Sequence, residues 1–208
     1  MDIPFLNATL PELVQAVGYI GVFLIVFVES GIPFGIVLPL PGDTLLFSAG
    51  LLAATNAFDL VPLLVTIVIA AILGDSAGYW FGSHYGPKLF TKEDALFLNK
   101  RHLDRAERFY EKYGGLALIL ARFLPLLRTL VPIAAGMGRM PYGTFLRFNI
   151  IGALLWGVLV TLLGYYLGTL IPDIDKYLLP ILGLIVLASV LVSAREIWNA
   201  KKELNARQ

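Results

Sequence analysis

The sequence predicts an all-α polytopic membrane protein: an inverted repeat with two re-entrant helical hairpins, at about 31–55 and 115–138. Three observations support this fold class. The 208 residues are 58% hydrophobic and 15% charged, whereas a soluble domain is about half apolar and a quarter charged. The Lys and Arg residues gather in a few places, and Pro and Gly interrupt two apolar stretches. The composition excludes a water-soluble enzyme and a disordered chain.

Six apolar segments supply the membrane elements, and we expect the whole chain, 1–208, to form one domain. They lie at about 13–28, 44–54, 60–81, 115–138, 148–170 and 177–194. The first, third, fifth and sixth are predicted to cross the membrane, since about 20 apolar residues reach across it. The second and fourth belong to the hairpins.

Positive charge predicts the topology. The stretch 88–113, expected to be an amphipathic helix, contains seven of the 16 Lys and Arg residues, including the first in the chain. Further basic residues lie at 139–147 and in the C-terminal tail, 195–208. Because cytoplasmic loops carry the excess of Lys and Arg, we expect all three regions, and both termini, to be cytoplasmic.

The hairpin at 115–138 is predicted from its two flanks. Since 88–113 and 139–147 share one side, the segment between them enters and leaves the bilayer on that side. It also contains four residues that suit a protein interior better than a lipid-facing helix. These residues are Arg122, Pro125, Arg128 and Pro132.

The hairpin at 31–55 is predicted from its helix breakers, among them Pro41 and Gly42. Working backward from the cytoplasmic stretch 88–113, the segment 60–84 runs from outside to inside. The hairpin that precedes it is therefore entered from outside, opposite to the second hairpin.

An internal repeat supports this inversion. The matched positions are Asp43 with Arg128, Gly50 with Gly136, and 78–82 with 164–168. The offset is 85 or 86 residues throughout. Inverted repeats with broken helices that meet near the bilayer midplane are a recurring transporter architecture.

Five ionisable residues lie in apolar surroundings: Glu29, Asp43, Asp75, Arg122 and Arg128. Each costs about 2.5–3.5 kcal/mol at the centre of a membrane helix on insertion scales, so we expect a mutually compensated, partly hydrated cluster. Arginine stays charged and offers a planar fork to phosphate oxygens. Two alternatives stay open: the arginines bind one anion together, or they pair with the acids only to hold the hairpins together. Asp43 is also placed to cap a helix N-terminus.

The run from Ala121 to Pro132, with two arginines around a proline, resembles the DedA family of membrane proteins, which carries the VTT (SNARE-associated) domain. The resemblance covers about 29–168. Its other parts are Glu29, Leu40-Pro41-Gly42-Asp43, Gly74-Asp75-Ser76-Ala77-Gly78-Tyr79, and Asn149-Ile150-Ile151-Gly152 with Trp156.

The resemblance implies a lipid translocase, or flippase, of the cytoplasmic membrane. Bacterial members are associated with recycling undecaprenyl phosphate, and others with phosphatidylethanolamine. The family's essential acids map onto Glu29 and Asp43, and its essential arginines onto Arg122 and Arg128. We therefore expect the arginines to bind a lipid phosphate, while Glu29, Asp43 and Asp75 couple its movement to protons. Pro41, Gly42, Pro125 and Pro132 are expected to shape the hairpins.

Several functional alternatives remain at this point. A phosphatidylethanolamine flippase or scramblase and a proton-coupled carrier of a small solute or cation stay open. An intramembrane enzyme is disfavoured because neither His84 nor His102 is placed for histidine-dependent catalysis. Separately, Trp156 is expected to be a core or interfacial aromatic. We expect no cofactor, no metal and no nucleic acid. The expected partners are the lipid, protons and the bilayer, and a homo-oligomer stays open.

Overall fold

The computed structural model of the chain describes residues 10–31, 42–89, 108 and 110–171. The elements within these ranges are helices, which confirms the all-α prediction for that part of the chain. They are α1 (Leu10–Gly31), α2 (Gly42–Ala54), α3 (Leu60–Leu89), α4 (Leu116–Ala121), α5 (Pro125–Met137) and α6 (Tyr142–Leu170). Most of the predicted amphipathic helix, 88–113, and the predicted segment 177–194 lie outside the described residues.

Helices α3 and α6 are long and apolar enough to cross a membrane. They contain 30 and 29 residues, or about 45 Å at 1.5 Å per residue, against a hydrocarbon core of about 30 Å. Both coincide with segments predicted to cross. Helix α6 begins six residues earlier than predicted, directly after Pro141, which precedes its first turn.

The segment 115–138 is broken where the sequence predicts a break. Helix α4 ends at Ala121, and α5 begins at Pro125. Leu124 between them has an extended backbone, with φ −119° and ψ 106°, because a following proline disfavours the α conformation. Pro132 lies inside α5 and is fully buried.

The first predicted hairpin is described only from α2 onward. Helix α1 ends at Gly31 and α2 begins at Gly42, while the residues between them, including Pro41, lie outside the described ranges. Asp43 occupies the first turn of α2, which begins at Gly42, so the expectation that Asp43 is the N-cap is wrong, and the helix begins two residues earlier than that cap requires. In the first turn, the negative charge of Asp43 is still stabilised by the positive end of the helix dipole. The re-entrant path of both hairpins stays a prediction.

The two repeat units pack on each other's helices. Gly50 of α2 lies against the backbone of α6, where an added Cβ would be 2.1 Å from the carbonyl oxygen of Thr161. Gly136 of α5 lies in the same way against α3, where an added Cβ would be 2.1 Å from the carbonyl oxygen of Tyr79. The matched glycines are therefore points of close helix approach in both units.

The register of the repeat is right for one pair of helices and wrong for the other. Gly82 of α3 lies against the carbonyl of Ile133, and Gly164 of α6 lies against the carbonyl of Phe47. Ile133 and Phe47 are 86 residues apart, as the sequence predicts. Gly82 and Gly164 are only 82 apart, whereas the sequence pairs Gly164 with Gly78. The predicted register of α3 and α6 is thus wrong by about one helical turn.

The spacing of glycines explains the error. Gly74, Gly78, Gly82 and Gly86 recur every fourth residue, so a shift of four places glycine on glycine again. The structure shows where the four extra residues lie: α3 begins ten residues after Gly50, whereas α6 begins six residues after Gly136. The inversion of the two units relative to the membrane stays a prediction.

Replacing either contact glycine by alanine is expected to destabilise the protein. In Gly50→Ala and Gly136→Ala the new methyl group meets a backbone carbonyl, so the helices must separate, at a cost of about 1–3 kcal/mol for overpacking. Gly21→Ala is the matched control, since nothing lies within 4 Å of its added Cβ. Thermal unfolding in detergent, followed by circular dichroism, should show lower midpoints for the first two variants only. Equal midpoints for all three variants would contradict the close approach.

Two clusters of buried apolar side chains leave a polar layer between them. One cluster is formed mainly by α4, α5 and the start of α6, and the other mainly by α1, α2 and α3. On α3, Asp75 falls between Ile72 of the second cluster and Tyr79 of the first. On α6, Asn149 falls between Phe148 of the first and Ala153 of the second. The buried polar residues therefore lie where the two clusters meet.

Candidate functional site

Arg128 on α5 joins three helices through its guanidinium group. Its Nη1 donates to Oδ1 of Asp43 on α2 at 3.1 Å, and its Nη2 donates to Oε1 of Glu29 on α1. Two carboxylates thus take opposite branches of one planar fork, a geometry that arginine allows and lysine does not. The structure brings together three of the five ionisable residues that the sequence singles out.

Exposure differs among these three side chains. Glu29 is buried, and the Arg128 side chain is 12% exposed. The Asp43 side chain is 52% exposed. Asp43 is therefore the most exposed member of the group, and it contacts the largely buried Arg128.

Arg122 forms a second, closed group. Its Nη2 lies 2.6 Å from Oδ2 of Asp75 on α3 and 2.6 Å from Oδ1 of Asn149 on α6. The Nδ2 of Asn149 in turn donates to the carbonyl oxygen of Ile72 at 3.1 Å. The Arg122 and Asp75 side chains are each only 4% exposed, so this group is sealed from the surroundings.

A glycine makes room for Arg122. The residue follows α4 and caps its C-terminal end with its backbone N–H, and its side chain lies flat against α6 at Gly152. A Cβ at position 152 would be 3.0 Å from both Cδ and Nε of Arg122, tighter than ordinary van der Waals contact. Gly152, part of the motif that supports the family resemblance, thus permits the guanidinium to reach Asn149.

Trp156 on α6 connects the two groups. Its Nε1 donates to Oδ1 of Asp43 at 2.7 Å. Its ring centroid is 5.8 Å from Cζ of Arg122 and 5.8 Å from Cζ of Arg128, within the range of cation–π attraction. The prediction of a core aromatic is correct as to burial, since Trp156 is 3% exposed, but it omits these polar contacts.

Sequence reasoning missed Asn149 and Trp156 as members of the site. Asn149 is uncharged, so a search for ionisable residues does not find it, and Trp156 counts as apolar. One signal was available for Asn149: an amide in the middle of an apolar helix must find hydrogen bonds inside the protein. Nothing comparable identifies Trp156, because its partner Asp43 is 113 residues away.

The formal charges of the two groups differ. With every residue ionised, Arg122 and Asp75 cancel, whereas Arg128 with Glu29 and Asp43 carries a net charge of −1. One proton, or one monovalent cation, neutralises the second group. Within the described residues, no three His, Asp or Glu side chains lie close enough to hold a metal ion.

These features describe a helical protein with charged side chains paired at the contacts between its helices, two of which are long and apolar enough to cross a membrane. The sequence comparisons identify the family. The family model described as the VTT domain matches residues 40–166. Protein DedA of Escherichia coli K12 is 43% identical over 203 residues, which cover 95% of this chain and 91% of that protein. The chain therefore belongs to the DedA family of membrane proteins.

Two further relatives extend the comparison. An uncharacterized membrane protein of Mycobacterium tuberculosis H37Rv is 41% identical over 187 residues, which cover 88% of this chain and 81% of that protein. The inner membrane protein YghB of Escherichia coli K12 is 34% identical over 205 residues, covering 94% and 90%. No solved structure matches the chain. The site residues described above all lie within or just before the matched VTT domain.

Proposed function

We propose that the protein is a proton-coupled lipid translocase of the cytoplasmic membrane that moves the headgroup of undecaprenyl phosphate, or of a related phospholipid, across the bilayer. The observation that carries this proposal is the pairing of Arg128 with two carboxylates, one buried and one half-exposed. In such a pairing the carboxylates of Glu29 and Asp43 occupy the places that phosphate oxygens would take. The arginine becomes available to a phosphate when a carboxylate is protonated.

The proposed cycle begins with protonation at the exposed edge. A proton on Asp43 weakens its hold on Nη1 of Arg128, and the phosphate oxygens then take the freed side of the fork through charge-assisted hydrogen bonds. Loss of that proton on the other side of the membrane restores the Asp43 carboxylate, which then displaces the phosphate from Arg128. Glu29, on the buried branch, accepts a proton only if the phosphate is to engage both branches. The hydrophobic tail stays in the bilayer throughout.

Arg122 enters the proposal as the second arginine. In the described arrangement its charge is satisfied by Asp75 and Asn149, so it contributes to phosphate binding only after Asp75 takes a proton. Until then it holds α4, α3 and α6 together. This order assigns first contact with the headgroup to Arg128 and makes Asp75 the third proton-coupling acid.

A proton-coupled carrier of a small cation is the second candidate, and one observation favours it. The group of Arg128, Glu29 and Asp43 has a net charge of −1, which a cation would neutralise. In that case the cation binds the carboxylates, and added lipid phosphate does not compete for Arg128. Transport is favoured over chemistry in both candidates because the contacts of Arg128 are exchangeable ion pairs.

Headgroup translocation in proteoliposomes tests the proposal. Undecaprenyl phosphate and phosphatidylethanolamine are compared with and without a pH gradient, in wild type and in Arg128→Ala. We expect gradient-dependent movement of the polyprenyl phosphate, reduced to the protein-free rate in the variant. Equal movement of both lipids, unaffected by the gradient, would instead define a scramblase. Movement of a cation without either lipid would favour the second candidate.

A further inference from the structure

We propose that Trp156 is a positioning residue that holds the Asp43 carboxylate in place while Arg128 exchanges it for a phosphate. The inference deepens the proposed function and rests on it for its transport readout. Its structural part, that the indole of Trp156 responds to the protonation of Asp43, can be measured without any lipid.

The first argument is a shared acceptor. Oδ1 of Asp43 accepts from Nε1 of Trp156 at 2.7 Å and from Nη1 of Arg128 at 3.1 Å. When Arg128 turns to a phosphate, the carboxylate loses one of these two donors and keeps the other. Without Trp156, Asp43, which is half-exposed and lies in the first turn of α2, would be free to turn away into water. Its return to Arg128, which displaces the phosphate, would then be slow.

The second argument is the chemistry of the indole. A tryptophan N–H is a donor only, so it binds an oxygen of Asp43 in both the charged and the protonated form. It binds the charged form more strongly, because hydrogen bonds to an ionised acceptor are about twice as strong as neutral ones. Trp156 therefore keeps the position of Asp43 in both states and biases it toward the charged state.

The third argument is the position of the ring. It lies 5.8 Å from the guanidinium carbons of both Arg122 and Arg128. When Arg128 loses a carboxylate partner, its buried charge keeps this cation–π attraction, which is stronger in desolvated surroundings. One side chain thus holds the acid and attracts the base during the exchange.

The charged groups around Asp43 come from each helix packed at this point. Arg128 on α5 contacts it directly, and Glu29 on α1 shares the same guanidinium. Arg122, which follows α4, lies across the indole ring and is paired with Asp75 on α3. The effect of Trp156 on the protonation of Asp43 adds to the effect of these charges. It is therefore measured as a difference between variants that keep all of the charged residues.

The transport test uses Trp156→Phe, which keeps an aromatic ring beside both arginines and removes the N–H together with part of the indole ring. We expect the rate of phosphate headgroup movement to fall about ten-fold, as for loss of a charge-assisted hydrogen bond. Half-maximal transport should shift to higher pH by about one unit, because the charged form of Asp43 has lost a donor. Trp80→Phe is the matched control, since Trp80 is exposed and stacks on His84 away from the site. A wild-type rate and pH profile in Trp156→Phe would overturn the proposal.

The second test needs neither lipid nor substitution of Trp156. The chain has three tryptophans, so Trp80→Phe with Trp198→Phe leaves Trp156 as the sole emitter. We expect its fluorescence to titrate with pH, Asp43→Asn to abolish that titration, and Asp59→Asn, an exposed aspartate outside the site, to leave it unchanged. A titration that Asp43→Asn does not alter would overturn the contact between the two residues. If the titration appears but no lipid moves, the positioning role stands and the proposed function fails.

Discussion

Replacing Arg128 by lysine is expected to lower the rate of headgroup translocation about 30-fold or more, although the positive charge is kept. The guanidinium donates from Nη1 to Asp43 and from Nη2 to Glu29, two directions fixed by one planar group. A lysine ammonium is a single point on a flexible stem and cannot reproduce that fork. Loss of one charge-assisted hydrogen bond, about 1.5–3 kcal/mol, corresponds to roughly 10–150-fold in rate. The proteoliposome assay measures it directly.

Arg147→Lys is the matched control for this variant. Arg147 lies on α6 and is exposed, so the same substitution there should leave the rate unchanged. A fully active Arg128→Lys would show that only the positive charge matters at this position. Two-branched binding of phosphate would then be abandoned, and a cation carrier, in which Arg128 merely balances the acids, would become the better explanation.

The charged residues of the site could be found from sequence because a membrane makes them conspicuous. Glu29, Asp43 and Arg128 stand in apolar runs where each costs free energy, so the sequence predicts that they pair with opposite charges, and the structure pairs these three. The break before α5 was equally readable, since Pro125 fixes the backbone of the residue before it. Local chemistry decided both features.

The division into two groups could not be found in this way. Arg122 and Arg128 are six residues apart, yet one is sealed with Asp75 and the other stands behind a half-exposed Asp43. What separates them is the position of α6, which places Asn149 against Arg122 and the indole N–H of Trp156 against Asp43. The packing register of α6 on α2 depends on which glycine meets which carbonyl, and Gly164 and Gly168, four residues apart, leave that choice open by one turn.

Replacing Asp75 by asparagine is expected to cause the largest loss of stability among the site variants. The substitution keeps the shape of the side chain and leaves the guanidinium of Arg122, which is 4% exposed, without a counter-charge. Removing one partner of a buried ion pair costs about 3–5 kcal/mol. The thermal unfolding midpoint in detergent should therefore fall well below that of wild type. Asp59→Asn, at an exposed position, should leave the midpoint unchanged.

The double variant Asp75→Asn with Arg122→Met separates the structural from the functional role of this pair. Replacing both members of a buried ion pair by groups without charge is often neutral or stabilising, so much of the lost stability should return. If headgroup translocation stays low in the stable double variant, the pair takes part in transport, as proposed for Asp75 and Arg122. If translocation returns with stability, the pair only holds α3, α4 and α6 together, and the phosphate-binding role belongs to Arg128 alone. A double variant no more stable than Asp75→Asn would show that Asn149, left without its arginine, carries the cost instead.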